Sequence, residues 1–497
     1  MRHRLVQIAA LISAAALAAC ASHAASPVPS PETGFQHAVA SPSGAGGTNG
    51  GSVYVMGDGS TETAFTTDFN LGADGKIYYA SMPAYNNGWS TIGEIGTFDP
   101  STHAQTYQIV PYAPGFIKET ADGSVWVTEL NNVSGKPTVD RYTGINGSDT
   151  PIAMGFGPLM QGAWGNGLDG GLAIAPDNTV WIGSNNSGQV GAIDPANNTS
   201  HIYALNIPSG GATPMPQFMT IASDHNLWVT DAANTGVYRV VALGSSVGSN
   251  TFNRLPENGQ PYANGVQGII QAPDGKLYTG NPGYPDSGWL DRAKVSASPA
   301  FSSVSLPAIG ARPYVFAVFG TKLYFLEYHF VGLGVYDVVS KKLAILPLVT
   351  YAEGNLTFDS TGTLWTSCYM PSSGTSCIQN VPITSTWEPF PSRTITLYTQ
   401  WNNQALPPGI IGIGETGDSG PFTVTSSNPS ICTAAMIPHF DHDVQVNPVA
   451  VGHCAVTITD AHSRSAKVSV AIVNGSGIPQ MRRDPSRIPS PVTEEGR

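Results

Sequence analysis

Charge is scarce in this chain. Of its 497 residues, 11% are Asp, Glu, Lys or Arg, and acidic residues outnumber basic ones 34 to 22. A shortage of cations argues against nucleic acid and against an anionic membrane surface as partners, because clustered Lys and Arg hold both. Cysteine is scarce too. The five present form no Cys-x-x-Cys spacing, which speaks against a zinc site. The apolar run Leu5 to Ala19 is too short to cross a bilayer as a helix, and the region that follows carries no convincing helical period. In contrast, Gly (56) and Pro (39) are plentiful. Such a composition suits turn-rich β structure outside the cytoplasm.

Arg2 and Arg4 precede the apolar run, so residues 1–19 read as an export signal. The run ends in Leu17-Ala18-Ala19-Cys20, which resembles a bacterial lipobox. The resemblance implies cleavage before Cys20 and lipidation of its thiol. An ordinary signal cut after Ser22-His23-Ala24 is the alternative, and it would make the protein secreted rather than anchored. Loss of residues 1–19 leaves 20 basic against 34 acidic residues, a net charge near −14. Contact with a membrane is then expected through the lipid alone. The expected location is the cell envelope, at the outer membrane on its periplasmic or surface side. Residues 20–50 are Ala, Ser, Pro and Gly with few large apolar side chains, and read as a flexible tether.

From there a phrase returns seven times: a turn with Asp or Gly, an aliphatic residue, then an aromatic ring. The rings are Tyr78, Trp126, Trp181, Trp228, Tyr278, Tyr324 and Trp365, spaced 41 to 55 residues apart. Apolar stretches before and after each ring supply about four strands per copy, as in Gly171-Leu172-Ala173-Ile174 and Val190-Gly191-Ala192-Ile193. The expected fold is all-β, a seven-bladed β-propeller over residues 51–390. Ser52-Val53-Tyr54-Val55 is expected to complete the last blade. The rhythm stops near Pro391. Residues 391–474 alternate as β strands, and residues 475–497 are polar and read as a disordered tail.

Three residues after the rings stand Ser81, Glu129, Ser184, Asp231, Asn281, Glu327 and Cys368. Rotated copies place them at one height near one face. Glu129, Asp231 and Glu327 are candidates to hold a divalent ion such as magnesium, since hard cations take oxygen donors, and Glu129 and Asp231 are also candidates to bind a polar ligand. Asn281 and Tyr328 are candidate ligand-binding residues, and His329 could act as a base beside Glu327. The bland alternative is that these acids accept hydrogen bonds from turn amides. The rings themselves are expected in the core, while Trp89, Trp164 and Trp289 lie in Gly/Asn-rich loops and could stack on a sugar or peptide. Gly244-Ser245-Ser246-Val247-Gly248 matches a nucleophile-elbow pattern, but no helix follows it. His439-Phe440-Asp441-His442-Asp443 has metal-ligand residue types and reads better as a solvated hairpin loop. With Cys20 lipidated, Cys368, Cys377, Cys432 and Cys454 allow three pairings, and the short separations favour Cys368–Cys377 and Cys432–Cys454.

Two family resemblances add to this reading. Asp122-Gly123-Ser124-Val125-Trp126-Val127-Thr128-Glu129, Asp224 to Asp231, and Gly188-Gln189-Val190-Gly191-Ala192-Ile193-Asp194-Pro195 resemble repeat phrases of the streptogramin (virginiamycin B) lyase propellers. That likeness implies a seven-bladed fold and a magnesium-dependent carbon–oxygen lyase that opens a cyclic depsipeptide. Its Glu-x-His pair would correspond to Glu327-Tyr328-His329, although Gly283 stands where a second histidine is expected one blade earlier. Ser426-Ser427-Asn428-Pro429-Ser430-Ile431-Cys432 and Val451-Gly452-His453-Cys454 resemble bacterial Ig-like domains, which implies a small β-sandwich used in spacing or adhesion. The residues leave three functions open: a monomeric propeller binding a small-molecule, peptide or glycan ligand; the lyase; and an adhesion or scaffold protein.

Overall fold

The computed structural model describes residues 36–37, 45–46, 52–57, 65–82, 92–132, 137–156, 170–185, 187–256, 266–282, 288–305, 313–327, 332–347, 351–370, 375–381, 388–390, 394–398, 400–401, 404–405, 409–414, 420–436 and 443–473. Among them every regular element is a strand. The chain divides into two compact units, Met1–Thr386 and Trp387–Arg497.

The first unit contains seven antiparallel sheets in chain order, each a meander of neighbouring strands. The second blade shows the pattern: Tyr112–Glu119, Val125–Asn132, Thr138–Tyr142 and Asp149–Ala153, each paired with the next. First strands touch first strands around the ring, and the seventh, Tyr351–Phe358, meets the first, Phe65–Leu71. The fold is therefore a closed seven-bladed propeller. Closure uses the N-terminal segment as expected: Ser52–Val55 pairs with Thr375–Val381 and becomes the fourth strand of the last blade.

The repeated phrase forms the turn into each second strand. Asp74, Asp122, Asp177, Asp224 and Asp274 each accept, through Oδ1, the amide N–H two residues ahead at 3.0 to 3.2 Å. The residue between is left-handed in six copies, where Gly75, Gly123, Asn178, His225, Gly275 and Gly362 have φ from 57° to 86°; the sixth copy turns one residue earlier, at Gly320 with φ 58°. Glycine occupies four of those six positions, and the earlier turn of the sixth copy, because it alone lacks the Cβ clash there. The rings that follow are buried between blades, led by Trp126, Trp181, Trp228 and Trp365. Arg141 and Arg239, cross-strand from Trp126 and Trp228, lie over their rings at 5.3 and 5.9 Å and reach back to Asp122 and Asp224.

Burial does the rest. Where the residue after the ring is a bulky aromatic, its cross-strand neighbour is glycine: Gly96 opposite Tyr79 and Gly334 opposite Phe325. A Cβ at either glycine would come within 2.4 Å of that ring, so the pair shares one fixed volume.

Within the second unit, Glu388–Phe390, Gly409–Gly414, Asp443–Pro448 and Cys432–Met436 form one sheet. Thr394–Tyr398, Ser465–Val473, Gly452–Thr459 and Thr423–Ser426 form another. Ile411, Val444 and Val446 from the first share a buried core with Val456, Ile458 and Val470 from the second. The Cys432–Cys454 disulfide joins the two sheets inside that core.

Candidate functional site

In five blades the register puts the residue three after the ring opposite a residue near the start of the first strand: Ser81 faces Thr66, Glu129 faces Pro114, Asp231 faces Pro216, Glu327 faces Pro313 and Cys368 faces Ala352. These positions therefore share one level below one face of the propeller, as the spacing predicts. That level is polar in six blades. In the seventh, Cys368 bonds to Cys377 directly across the strand pair.

The two describable acids of this level are held inside their own blades. Asp231 is fully buried, and its Oδ1 accepts the amides of Met215 and Ala233, both at 2.9 Å. Its Oδ2 accepts Asn234 Nδ2 at 2.7 Å. Burial raises its pKa, and those donors oppose the rise. This geometry is the amide-binding role that acidic turn residues often play.

Glu129 is 5% exposed and meets a second carboxyl group, Asp140, on the next strand of the same blade. Burial first, then the charge of Asp140, pushes Glu129 up to about 9. Glu129 thus keeps its proton and donates it to Asp140. Burial raises Asp140 as well, while hydrogen bonds from Glu129 and Tyr112 oppose that. Tyr112 and Tyr142 extend the chain, with their hydroxyls 2.6 Å apart.

The fifth blade repeats this motif with one change. Asn281 Nδ2 donates to Asp291 Oδ2 at 3.1 Å, and the Ser303 hydroxyl donates to Asp291 Oδ1. Asp291 occupies the register of Asp140: each lies opposite the residue after the ring. The sequence reading overlooked both aspartates. Their signal was the dipeptide Asp-Arg, Asp140-Arg141 and Asp291-Arg292, in which Arg stands cross-strand from the ring and Asp opposite the residue after it.

A second overlooked feature surrounds the axis. Six of the seven first strands break register near their start, for example between Pro114 and Ile117 and between Pro216 and Met219. The break frees amides from the ladder, and hydroxyls catch them: Phe116 N–H donates to Thr128 Oγ1 at 2.8 Å and Phe218 N–H to Thr230 Oγ1 at 3.0 Å. Bulges of this kind re-aim side chains. Phe218 packs against the buried cluster of its own and the fifth blade, and also against that of the sixth and seventh.

Glu327 ends the second strand of the sixth blade. Tyr328 and His329 lie outside the described residues, as do Trp89, Trp164 and residues 439–442, while Asp443 begins a strand. Among the described residues no group of three or more His, Cys, Asp or Glu side chains is placed to hold a metal. The proposed loop position of Trp289 is corrected. It sits half-buried on the strand Gly288–Lys294, paired with Asn281 and Ser305, because its stretch completes the fifth blade. Gly244 and Ser245 form the tight turn of a hairpin, with φ +62° at Gly244, so Ser246 begins a strand and no nucleophile elbow exists there. The four described cysteines pair as Cys368–Cys377 and Cys432–Cys454.

No family model and no curated protein matches the chain. Solved structures do. A streptogramin B lyase structure aligns at TM-score 0.51 with 18% identity, over 67% of this chain and 97% of its own. A catalytically inactive virginiamycin B lyase from Staphylococcus aureus, with quinupristin, aligns at 0.52 with 16% identity, over 67% and 99%. The selenomethionine-substituted enzyme aligns at 0.50 with 18% identity, over 64% and 96%. At such identities the likeness establishes the propeller fold alone.

Proposed function

We propose that the protein is an exported, lipid-anchored propeller that binds a small-molecule, peptide or glycan ligand on the face where the second strands end. The observation that carries this reading is the fate of the two acids: Asp231 is spent on local donors and Glu129 on Asp140. A shared metal does not explain either arrangement. A polar level beneath a loop-bearing face, ringed by apolar blades, suits orientation of a bound ligand. Lipidation at Cys20 and an Ig-like spacing or adhesion role for the second unit belong to the same reading.

A second reading is a magnesium-dependent lyase acting on a cyclic depsipeptide or similar ester. It is favoured by the sequence Glu327-Tyr328-His329, whose first residue ends the second strand of the sixth blade. There Glu327 would hold the metal and His329 would move the proton. Linearisation of a streptogramin B compound by wild type and His329→Ala, with magnesium and with chelator, separates the two. The binding reading expects no turnover in any arm. Turnover by wild type that His329→Ala and chelation both abolish would establish the lyase instead.

A further inference from the structure

The repeat does not require the ring of Trp289. It stands on the third strand of the fifth blade, opposite Asn281. The same register position, opposite the residue three after the ring of each blade, holds Glu94, Gln189, Gly236 and Cys377 in the first, third, fourth and seventh blades. Around Trp289 the groups are polar. Thr279, Asp291 and Ser303 lie in register across three strands, and Asn281, Trp289 and Ser305 form the next row toward the end of the second strand. Rows two residues apart share a face of the sheet. That face looks toward the fourth blade, since Leu277, two residues before Thr279, packs with Trp228 and Val237.

Asn281 is 3% exposed, yet its Oδ1 has no hydrogen-bond partner. Its Nδ2 donates to Asp291 Oδ2 at 3.1 Å, which turns the oxygen away from the row of Asp291. The other Asp291 oxygen accepts the Ser303 hydroxyl. With both carboxylate oxygens engaged, the setting suits a neutral ligand better than a cation. The strand of Trp289 is paired on both sides, so an extended peptide cannot add to it. What remains is a half-buried ring beside an unmet acceptor. We propose that a neutral saccharide binds on the fourth-blade side of the fifth blade, with the CH face of a pyranose on Trp289 and a hydroxyl donating to Asn281 Oδ1. A sugar carries both features on one small body, and its hydroxyl relieves the cost of a buried acceptor left without a donor. This site rests on the ligand-binding reading and gives it a ligand class and a place.

The test is titration calorimetry of the full chain with neutral tetrasaccharides of glucose, mannose and N-acetylglucosamine, beside tetraalanine as an uncharged peptide. Wild type is expected to bind at least one of the saccharides. Trp289→Ala should weaken that binding about tenfold or more, and Trp289→Phe, which keeps a ring, should restore most of it. Hydroxyl-radical footprinting of wild type, read by peptide mass spectrometry, should show Trp289 protected by the bound saccharide, a readout that does not depend on how the variants fold. A deoxy analogue lacking the donated hydroxyl should bind wild type several-fold more weakly. Saccharide binding that leaves Trp289 unprotected and is unchanged in a natively folded Trp289→Ala overturns the site, as does binding of tetraalanine alone, and both results leave the ligand-binding reading standing. Binding of no probe overturns the saccharide site and removes support from that reading as well.

Discussion

Replacing Glu129 by Gln should make the protein less sensitive to alkali. In the folded chain Glu129 is pushed up to about 9, from an ordinary value of 4.5. Between those values the native state holds a proton that the unfolded chain has released. Folding then takes up a proton, so stability falls as pH rises and levels off above the folded value. One such group contributes a slope of about 1.4 kcal/mol per pH unit. Gln keeps the shape and can still donate to Asp140, but it has no proton to lose. The assay is urea denaturation of wild type and Glu129→Gln at pH 6, 7 and 8, followed by tryptophan fluorescence. The variant should gain on wild type by up to about 1.4 kcal/mol for each unit of pH, with unchanged m-values. Parallel pH profiles for the two proteins would refute the shared-proton account of the second blade.

Three further outcomes follow from the same geometry. Thr230→Val removes the hydroxyl that accepts the Phe218 amide, and should cost about 1–3 kcal/mol in a denaturation experiment because a partly buried N–H loses its acceptor. His225→Gly should stabilise by a few tenths to about 1 kcal/mol, since His225 holds φ 57° where most copies use glycine; the thermal midpoint reads it, and the converse Gly123→Ala should lower that midpoint. Removal of residues 1–56 deletes the closing strand Ser52–Val55, and limited proteolysis should then cut first in the seventh blade.

The blades were legible because their signal is local. An Asp-Gly turn followed by an aliphatic and an aromatic residue states both a left-handed position and a buried strand, and the copies lacking it in full, Asn178 and His225, still adopt the same φ. The level of the polar residues was legible too, because equal spacing from the ring gives equal register. Their partners were not. Whether Asp231 faces a metal or Met215 N–H depends on a loop that folds back from sixteen residues earlier. Asp140 pairs with Glu129 only once the third strand is in register. Bulges leave no mark in apolar alternation, so the re-aimed first strands and the axial placement of Phe218 emerged with the coordinates. Trp289 shows the reverse error, since its Gly-rich surroundings suggested a loop while cross-strand pairing with Asn281 made it a strand.

A closed ring is what aligns the polar level and gathers the first strands about an axis, and one engineered bond interrogates it. Val53 and Gln379 are register partners across the closing pair, so Val53→Cys with Gln379→Cys should oxidise to an intramolecular disulfide in the folded protein. The expected result is a reducible shift in gel mobility together with a raised denaturation midpoint. Failure of this pair to cross-link, while Val53→Cys instead bonds to a cysteine placed several register positions away or on another blade, would contradict the ring.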